Sequence, residues 1–232
     1  MVFLSQGLDI ITAPLRPSNR LLVIGALFVT CLIVANTIGV KLVGIGPLIL
    51  PAAIIVFPLS YIFGDIITEV YGYHWARRII WIGLFCNLIF VFFVWAGGLL
   101  PAAPSWEGQD AYRTILGYTP RLLLASFSGY LVGEFVNSLV LSRLKVATRG
   151  RWLWLRTISS SVIGEGLDSV IFITIAFAGP NFSVGLIISH WLVKVAIESL
   201  ATPFIYATVG YLKHKEGIDV YDERINLNPF KI

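Results

Sequence analysis

The chain is short of charge and of cysteine. Only 13% of its 232 residues are charged, 57% are apolar, and the mean hydropathy is +0.83. A soluble globular domain carries roughly 25% charged residues, so this chain lacks the polar surface that would cover a water-soluble sphere. The composition also argues against a disordered chain and against a catalytic domain outside a membrane. Cys31 and Cys86 both lie in apolar runs and read as small core residues, with no support for a disulfide framework or a thiolate metal site. No Gly-x-x-x-x-Gly-Lys-Ser/Thr loop is present, so the chain does not hydrolyse ATP by that route. A secretory signal is not expected, because Arg16 and Arg20 follow the first apolar patch instead of preceding it. Residues 1–20 are expected to form a cytoplasmic or interfacial segment.

What the chain has is long apolar runs, at roughly 21–40, 51–71, 78–100, 121–142, 157–178 and 185–210. Each can cross a hydrocarbon core of about 30 Å at about 1.5 Å per residue. The expected fold is therefore all-α, an integral membrane protein with six transmembrane helices over residues 21–213 and a tail at 214–232. Breakers separate the runs: Gly44, Gly46, Pro47 and Pro51; Gly72 with His74; Pro101 and Pro104; Arg149 and Gly150; Gly179 and Pro180. With both termini placed inside, Arg16, Arg20, Arg77, Arg78, Arg143, Lys145, Arg149, Arg151, Arg156, Lys213, Lys215, Arg224 and Lys231 fall on the cytoplasmic side. Only Lys41, Arg113 and Arg121 fall outside, so the positive-inside rule favours cytoplasmic termini. The net charge of +4 thus marks orientation. Nucleic acid is not an expected partner, since the basic residues are scattered over several loops and not interleaved with stacking aromatics. Trp75, Trp81, Trp95, Trp106, Trp152 and Trp154 lie near span ends, as an interfacial belt would.

Six acids interrupt these spans: Asp65, Glu69, Glu134, Glu165, Asp168 and Glu198, with only Lys194 among them as a cation. Ionisable groups at bilayer depth are costly and normally face a cavity or one another. Helix-to-helix hydrogen bonds or an ion pair would also account for some of them. Tyr61, Asp65 and Glu69 share one face of span two, with a kink expected at Pro58. His190, Lys194 and Glu198 share a face of span six, where Lys194 and Glu198 could neutralise each other as an i, i+4 pair; His190 alone reads as an interfacial or core histidine. An internal echo joins spans four and five. Gly133-Glu134-Phe135-Val136-Asn137-Ser138 matches Gly164-Glu165-Gly166-Leu167-Asp168-Ser169, and Gly64-Asp65 on span two is a looser relative. A glycine before each acid allows close helix approach. Three helices are thereby expected to direct acid and amide groups toward one midplane site. Six spans also divide as three plus three, which would suit an inverted repeat.

Carboxylates beside Phe57, Tyr61, Tyr130, Phe172 and Trp191 suit a flat, nitrogen-rich ligand, since a carboxylate accepts two parallel N–H bonds and aromatic faces stack on a ring. Cations, amines and protons could use the same acids. The candidate binding residues are Tyr61, Asp65, Glu69, Glu134, Asn137, Glu165, Asp168, Lys194 and Glu198; neither a cofactor nor a metal is expected.

The run FPLSYIFGDIITEVYGYHWARR, from Phe57 to Arg78, resembles the signature segment of the queuosine precursor transporters, also called the vitamin uptake transporter family. RTISSSVIGEGLDSVIFITIAF, from Arg156 to Phe177, is similar to that family's fifth helix, and the likeness extends over roughly 21–213. The resemblance implies a non-enzymatic, multi-pass protein of the prokaryotic plasma (inner) membrane. It would import 7-cyano-7-deazaguanine or 7-aminomethyl-7-deazaguanine for salvage into tRNA queuosine. It supports Asp65, Glu165 and Asp168 most directly as site positions, then Glu134 and Asn137. The chain departs from the family in having Glu134 and Glu165 where Gln is frequent, and Asn137 where Asp is common. The rival readings are a substrate-binding membrane subunit that needs a separate ATPase, and an intramembrane aspartyl protease using Asp65 and Asp168, for which the Gly-x-Gly-Asp motif is missing. A rhomboid-type serine protease is further off, since Ser126-Phe127-Ser128-Gly129 does not fit its motif. A homodimer is left open.

Overall fold

The computed structural model describes residues 18–46, 48–117, 120–179, 183–222 and 229. Most of the expected segment at 1–20, namely residues 1–17, and most of the last ten residues lie outside them. Among the described residues, seven α-helices follow one another: α1 (Asn19–Ile38), α2 (Phe57–Tyr71), α3 (Tyr73–Leu99), α4 (Gln109–Leu116), α5 (Pro120–Ala147), α6 (Leu153–Phe177) and α7 (Val184–Glu216). Six segments are long and apolar enough to span a membrane, and they coincide with the six apolar runs. The protein is thus a predominantly helical, multi-pass membrane protein.

Local chemistry sets the boundaries. Ser18 caps α1, its Oγ accepting from the Leu21 amide at 3.0 Å. Gly72, at φ +85°, breaks α2 from α3 in a conformation open to glycine. Gly217 closes α7 in the left-handed region, its N–H returning to the Lys213 carbonyl. Several helices run past the edges set by charge: α3 begins at Tyr73, α5 continues to Ala147, α6 begins at Leu153 and α7 continues to Glu216. Lys145, Arg156 and Lys213 are therefore helical and meet acids of their own, where the sequence placed them in loops. The expected kink at Pro58 is absent, because Pro58 sits in the first turn of α2, where its missing N–H costs nothing.

The span expected at 51–71 is not one continuous helix. A hairpin of β1 (Leu42–Ile45) and β2 (Leu48–Pro51), with Ile45 opposite Leu48, leads into a short 3-10 helix at Ala52–Ile55. The α-helix proper starts only at Phe57 and is about 22 Å long. Irregular backbone at membrane depth is tolerated where it is buried in protein or lines a cavity, and Pro51, Ala53 and Ile54 line one. Gly44 and Gly46, read as breakers alone, belong to this hairpin.

Nearly all of α2 is buried, and it touches α1, α3, α5 and α7. The tightest helix pair is α5 with α6. A Cβ added at Gly133 would lie 3.0 Å from the Gly164 carbonyl, and one at Gly164 would lie 2.8 Å from the Gly133 carbonyl. The two echoing segments thus meet glycine to glycine, which brings the acid after each glycine close to the helix contact. The first and last spans share an end, where the Ser18 hydroxyl donates to Glu216 at 2.9 Å. By contrast, α3 turns Phe85, Phe92 and Phe93 outward, as a lipid-facing helix would.

Candidate functional site

Three polar layers lie along the bundle axis. The first is a cavity open to one side, opposite the end where α1 begins, with about 710 Å³ of empty space counting its open mouth. The ends of α1 and α5, the 3-10 segment and the middles of α6 and α7 form its walls. Its floor is Asp168 of α6, ion-paired with Lys194 of α7. The Lys194 ammonium also stands 4.1 Å from the Phe57 ring centroid and 5.9 Å from that of Tyr61, a cation held over aromatic faces. Beside it, the His190 ring stacks on Phe172 with centroids 5.9 Å apart, and its Nδ1 lies 3.1 Å from the Ser169 hydroxyl. On the opposite wall, Ser126 donates to the Asn36 amide oxygen at 2.9 Å, and Asn36 donates to Asn87 at 2.7 Å.

Beneath that floor lies a closed cluster from four helices. Asp65 of α2 accepts from the Asn137 amide of α5 at 2.8 Å. Glu134 lies against Gly64, where an added Cβ would come within 3.0 Å of its carboxyl. Glu198 of α7 accepts from the Ser161 hydroxyl, and its carboxyl faces those of Asp65 and Glu165. Asp65, Glu134, Asn137 and Glu165 have no exposed surface. Neither oxygen of Glu134 or Glu165 receives a hydrogen bond from the protein, nor do Asp65 Oδ2, Glu198 Oε2 and the Tyr61 hydroxyl. Buried acceptors without donors are expensive, so these groups are set up to meet hydrogen-bond donors or protons from elsewhere.

The third layer closes the bundle at the end that carries the termini. Glu69, buried on α2, takes charged hydrogen bonds from Arg156 of α6 at 2.8 Å and Lys213 of α7 at 2.7 Å. Lys145 of α5 donates to the Glu69 backbone carbonyl at 2.5 Å. The chain after α7 is drawn over these groups. Asp219 binds Lys145 at 2.5 Å and Lys213 at 2.9 Å, Val220 donates to the Val70 carbonyl, and Asp222 accepts from the Tyr73 amide and the Ser142 hydroxyl, both at 2.8 Å. Partial burial pushes the Asp219 carboxyl up, but Lys145 and Lys213 outweigh this and hold it below its ordinary range.

The structure therefore groups Asp65, Glu134, Asn137, Glu165 and Glu198, with Tyr61, Asp168 and Lys194 above them. Glu69 stands apart. One turn below Asp65 on α2, it is held by three cations, Lys145, Arg156 and Lys213, all of which lie beyond the sequence-derived ends of their spans. Lys194 does not pair with Glu198. Both lie on one face of α7, but Asp168 reaches Lys194 from α6, and Ser161 occupies Glu198. Of the five aromatics expected beside a ligand, Phe57 and Phe172 line the cavity, and Tyr61 lies beneath its floor. Tyr130 is buried, donating to the Ile80 carbonyl, and Trp191 donates to Val162 across Gly166. Asn36 went unread, and Ser126 and Ser161 were met only in a rejected serine-protease motif and in the Ser-rich start of α6, although an amide or hydroxyl inside an apolar span is the signal that could have found them. Among the described residues, no three His, Cys, Asp or Glu side chains converge as the ligands of a metal ion.

Comparison with known proteins agrees with this architecture. Residues 51–208 match the family model described as "Putative vitamin uptake transporter". The chain is 31% identical over 157 residues to the "Probable queuosine precursor transporter" of Bacillus subtilis (strain 168), covering 66% of this chain and 68% of that protein. It is 28% identical to the "Queuosine precursor transporter" of Escherichia coli (strain K12), covering 67% and 66%, and 27% identical to a Haemophilus influenzae relative called "Probable queuosine precursor transporter", covering 64% and 60%. No solved structure matches the chain. The match runs from the last residue of β2 through α2, α3, α4, α5 and α6 and most of α7, and with it the chain belongs to the vitamin uptake transporter family.

Proposed function

We propose that the chain imports queuosine precursors, 7-cyano-7-deazaguanine or 7-aminomethyl-7-deazaguanine, across a prokaryotic plasma membrane, with both termini in the cytoplasm. The observation that carries this reading is the cavity floor, where an acid, a cation and two ring faces sit together at the inner end of an opening to one side. A deazaguanine brings a planar ring and an amidine-like edge. The ring stacks between Phe57 and Phe172, and the edge's N–H groups bind the Asp168 carboxylate. Asp65, Asn137, Glu134, Glu165 and Glu198 take over these donors as the ligand moves inward past Tyr61. In this state the outer side is open and the cytoplasmic side is shut by Glu69, its cations and the chain after α7. Transport requires the reverse arrangement as well, with the two sets of three helices rocking about the midplane site. The names borne by the relatives support the substrate class.

Titration of the purified full chain with 7-cyano-7-deazaguanine, followed by thermal shift, tests the site. A saturable stabilisation that guanosine does not reproduce, and that Asp168→Asn weakens at least tenfold, is expected. Equal stabilisation of the wild type and Asp168→Asn contradicts the assignment.

A further inference from the structure

The carboxyl cluster beneath the cavity has a charge problem that the substrate alone does not solve. Asp65, Glu134, Glu165, Asp168 and Glu198 are five acids, and among the described residues Lys194 is the one cation beside them, already paired with Asp168. The other titratable neighbours are Tyr61 on α2 and Tyr130 on α5, both neutral phenols, and Glu69 a turn below, whose charge Arg156 and Lys213 match. Four carboxyls thus remain without a counter-ion at a depth where an unpaired charge is costly. A metal ion would need several oxygens converging on one point, which the described side chains do not provide. Instead the carboxyls meet in pairs, Glu198 against both Asp65 and Glu165. Two carboxyls meet side by side when one of them supplies an O–H to the other. Both oxygens of Glu165 and one each of Asp65 and Glu198 receive no hydrogen bond from the described residues, and the same holds for both oxygens of Glu134 beside them.

We infer that Asp65, Glu165 and Glu198 form a proton-carrying site, so that the chain is a proton-coupled symporter and not a passive channel for its substrate. This rests on the transport reading above. A proton enters from the outer cavity by way of Asp168, at its floor, and settles on the Asp65, Glu198 and Glu165 group while the substrate binds. When the cytoplasmic side opens, the substrate leaves and the proton passes to cytoplasmic water, restoring the carboxylate. Substrate and proton thus cross together, one of each in the minimal cycle. Lys194 sets the direction of the exchange. It pairs with Asp168, whose carboxyl accepts substrate donors, while the deeper carboxyls, which make no ion pair among the described residues, hold the protons.

Full-length protein reconstituted in liposomes tests this with labelled 7-cyano-7-deazaguanine and a trapped pH dye. With a one-unit pH gradient, acid outside, the label should accumulate above equilibrium, approaching about tenfold per coupled proton. Added substrate should acidify the lumen, and a protonophore should abolish accumulation. Glu165→Gln with Glu198→Gln should lose both accumulation and the substrate-driven acidification of the lumen. Label that equilibrates without accumulating, or accumulates only under a sodium gradient, overturns the proton site and leaves transport standing. Neither uptake nor exchange under any gradient removes the transport reading, and the coupling with it. The proton flux of the wild type decides the matter even if the double variant does not fold.

Discussion

Replacing Lys194 with methionine isolates the pairing that the structure assigns. The two partners, Lys194 and Asp168, are almost wholly buried, at 1% and 3% exposure. Removing one member of such a pair strands the other, which typically costs about 3–5 kcal/mol. The escape open to a stranded carboxylate is to take a proton. For an ordinary aspartate of pKa about 3.9 at neutral pH, this costs about 4 kcal/mol at about 1.4 kcal/mol per unit. The loss in Lys194→Met is therefore capped near 4 kcal/mol and should shrink by about 1.4 kcal/mol for each unit by which the pH is lowered. Adding Asp168→Asn should restore most of it, since the stranded charge is gone, whereas adding Glu198→Gln should not. Equilibrium unfolding of the wild type, Lys194→Met, Asp168→Asn and their double variant in one detergent, at neutral and mildly acidic pH, supplies the double-mutant cycle, with Lys194→Met plus Glu198→Gln as the comparison. Rescue by Glu198→Gln and not by Asp168→Asn would restore the i, i+4 pairing along α7 and refute the assignment.

Three further outcomes follow from the packing and from the closed end. Gly164→Ala puts a methyl within 2.6 Å of the Asn137 Cβ and 2.8 Å of a backbone oxygen; neither can swing aside, so α5 and α6 must part, at about 1–3 kcal/mol in thermal unfolding. Unchanged stability would mean that the helices do not meet glycine to glycine. Gly72→Ala combines a strained positive φ with a Cβ placed 2.8 Å from Val220 and 3.1 Å from Asp222; faster protease cleavage after Gly217 is expected, and wild-type cleavage would show that residues 219–222 do not rest on Gly72. Because the Asp219 carboxyl lies below its ordinary value, the docking it supplies is complete above about pH 4 and is lost as pH falls through the depressed folded value. Hydrogen exchange at Val220 should rise only in that acid window, and Asp219→Asn should raise it at neutral pH.

The number and order of the spans were legible because apolar runs of bilayer length have few other uses. Their ends were not, since charge marks the end of a span only if that charge has no partner inside the protein. Lys145, Arg156 and Lys213 all meet acids, so their helices continue through them. The hairpin at 42–51 was hidden for a related reason: Val43, Ile45, Ile49 and Leu50 are as apolar as any span, and only Gly44, Gly46 and Pro47 distinguish the segment. At the site, the glycine-acid echo named the right pair of helices, because close approach and an adjacent acid are local properties of sequence. Pairing was not legible. Lys194 has Glu198 one turn away and chooses Asp168 on another helix, a choice made by the crossing of α6 and α7 and by Ser161 holding Glu198.

The claim of precursor import is tested most directly in cells that cannot synthesise 7-deazaguanines and lack their own importer. Supplied with nanomolar 7-cyano-7-deazaguanine and expressing this chain, such cells should regain queuosine in their tRNA. Asp65→Ala and Asp168→Ala should abolish the gain while inserting into the membrane at wild-type levels. Queuosine that fails to appear with the intact chain, or that appears equally with both variants, contradicts the account.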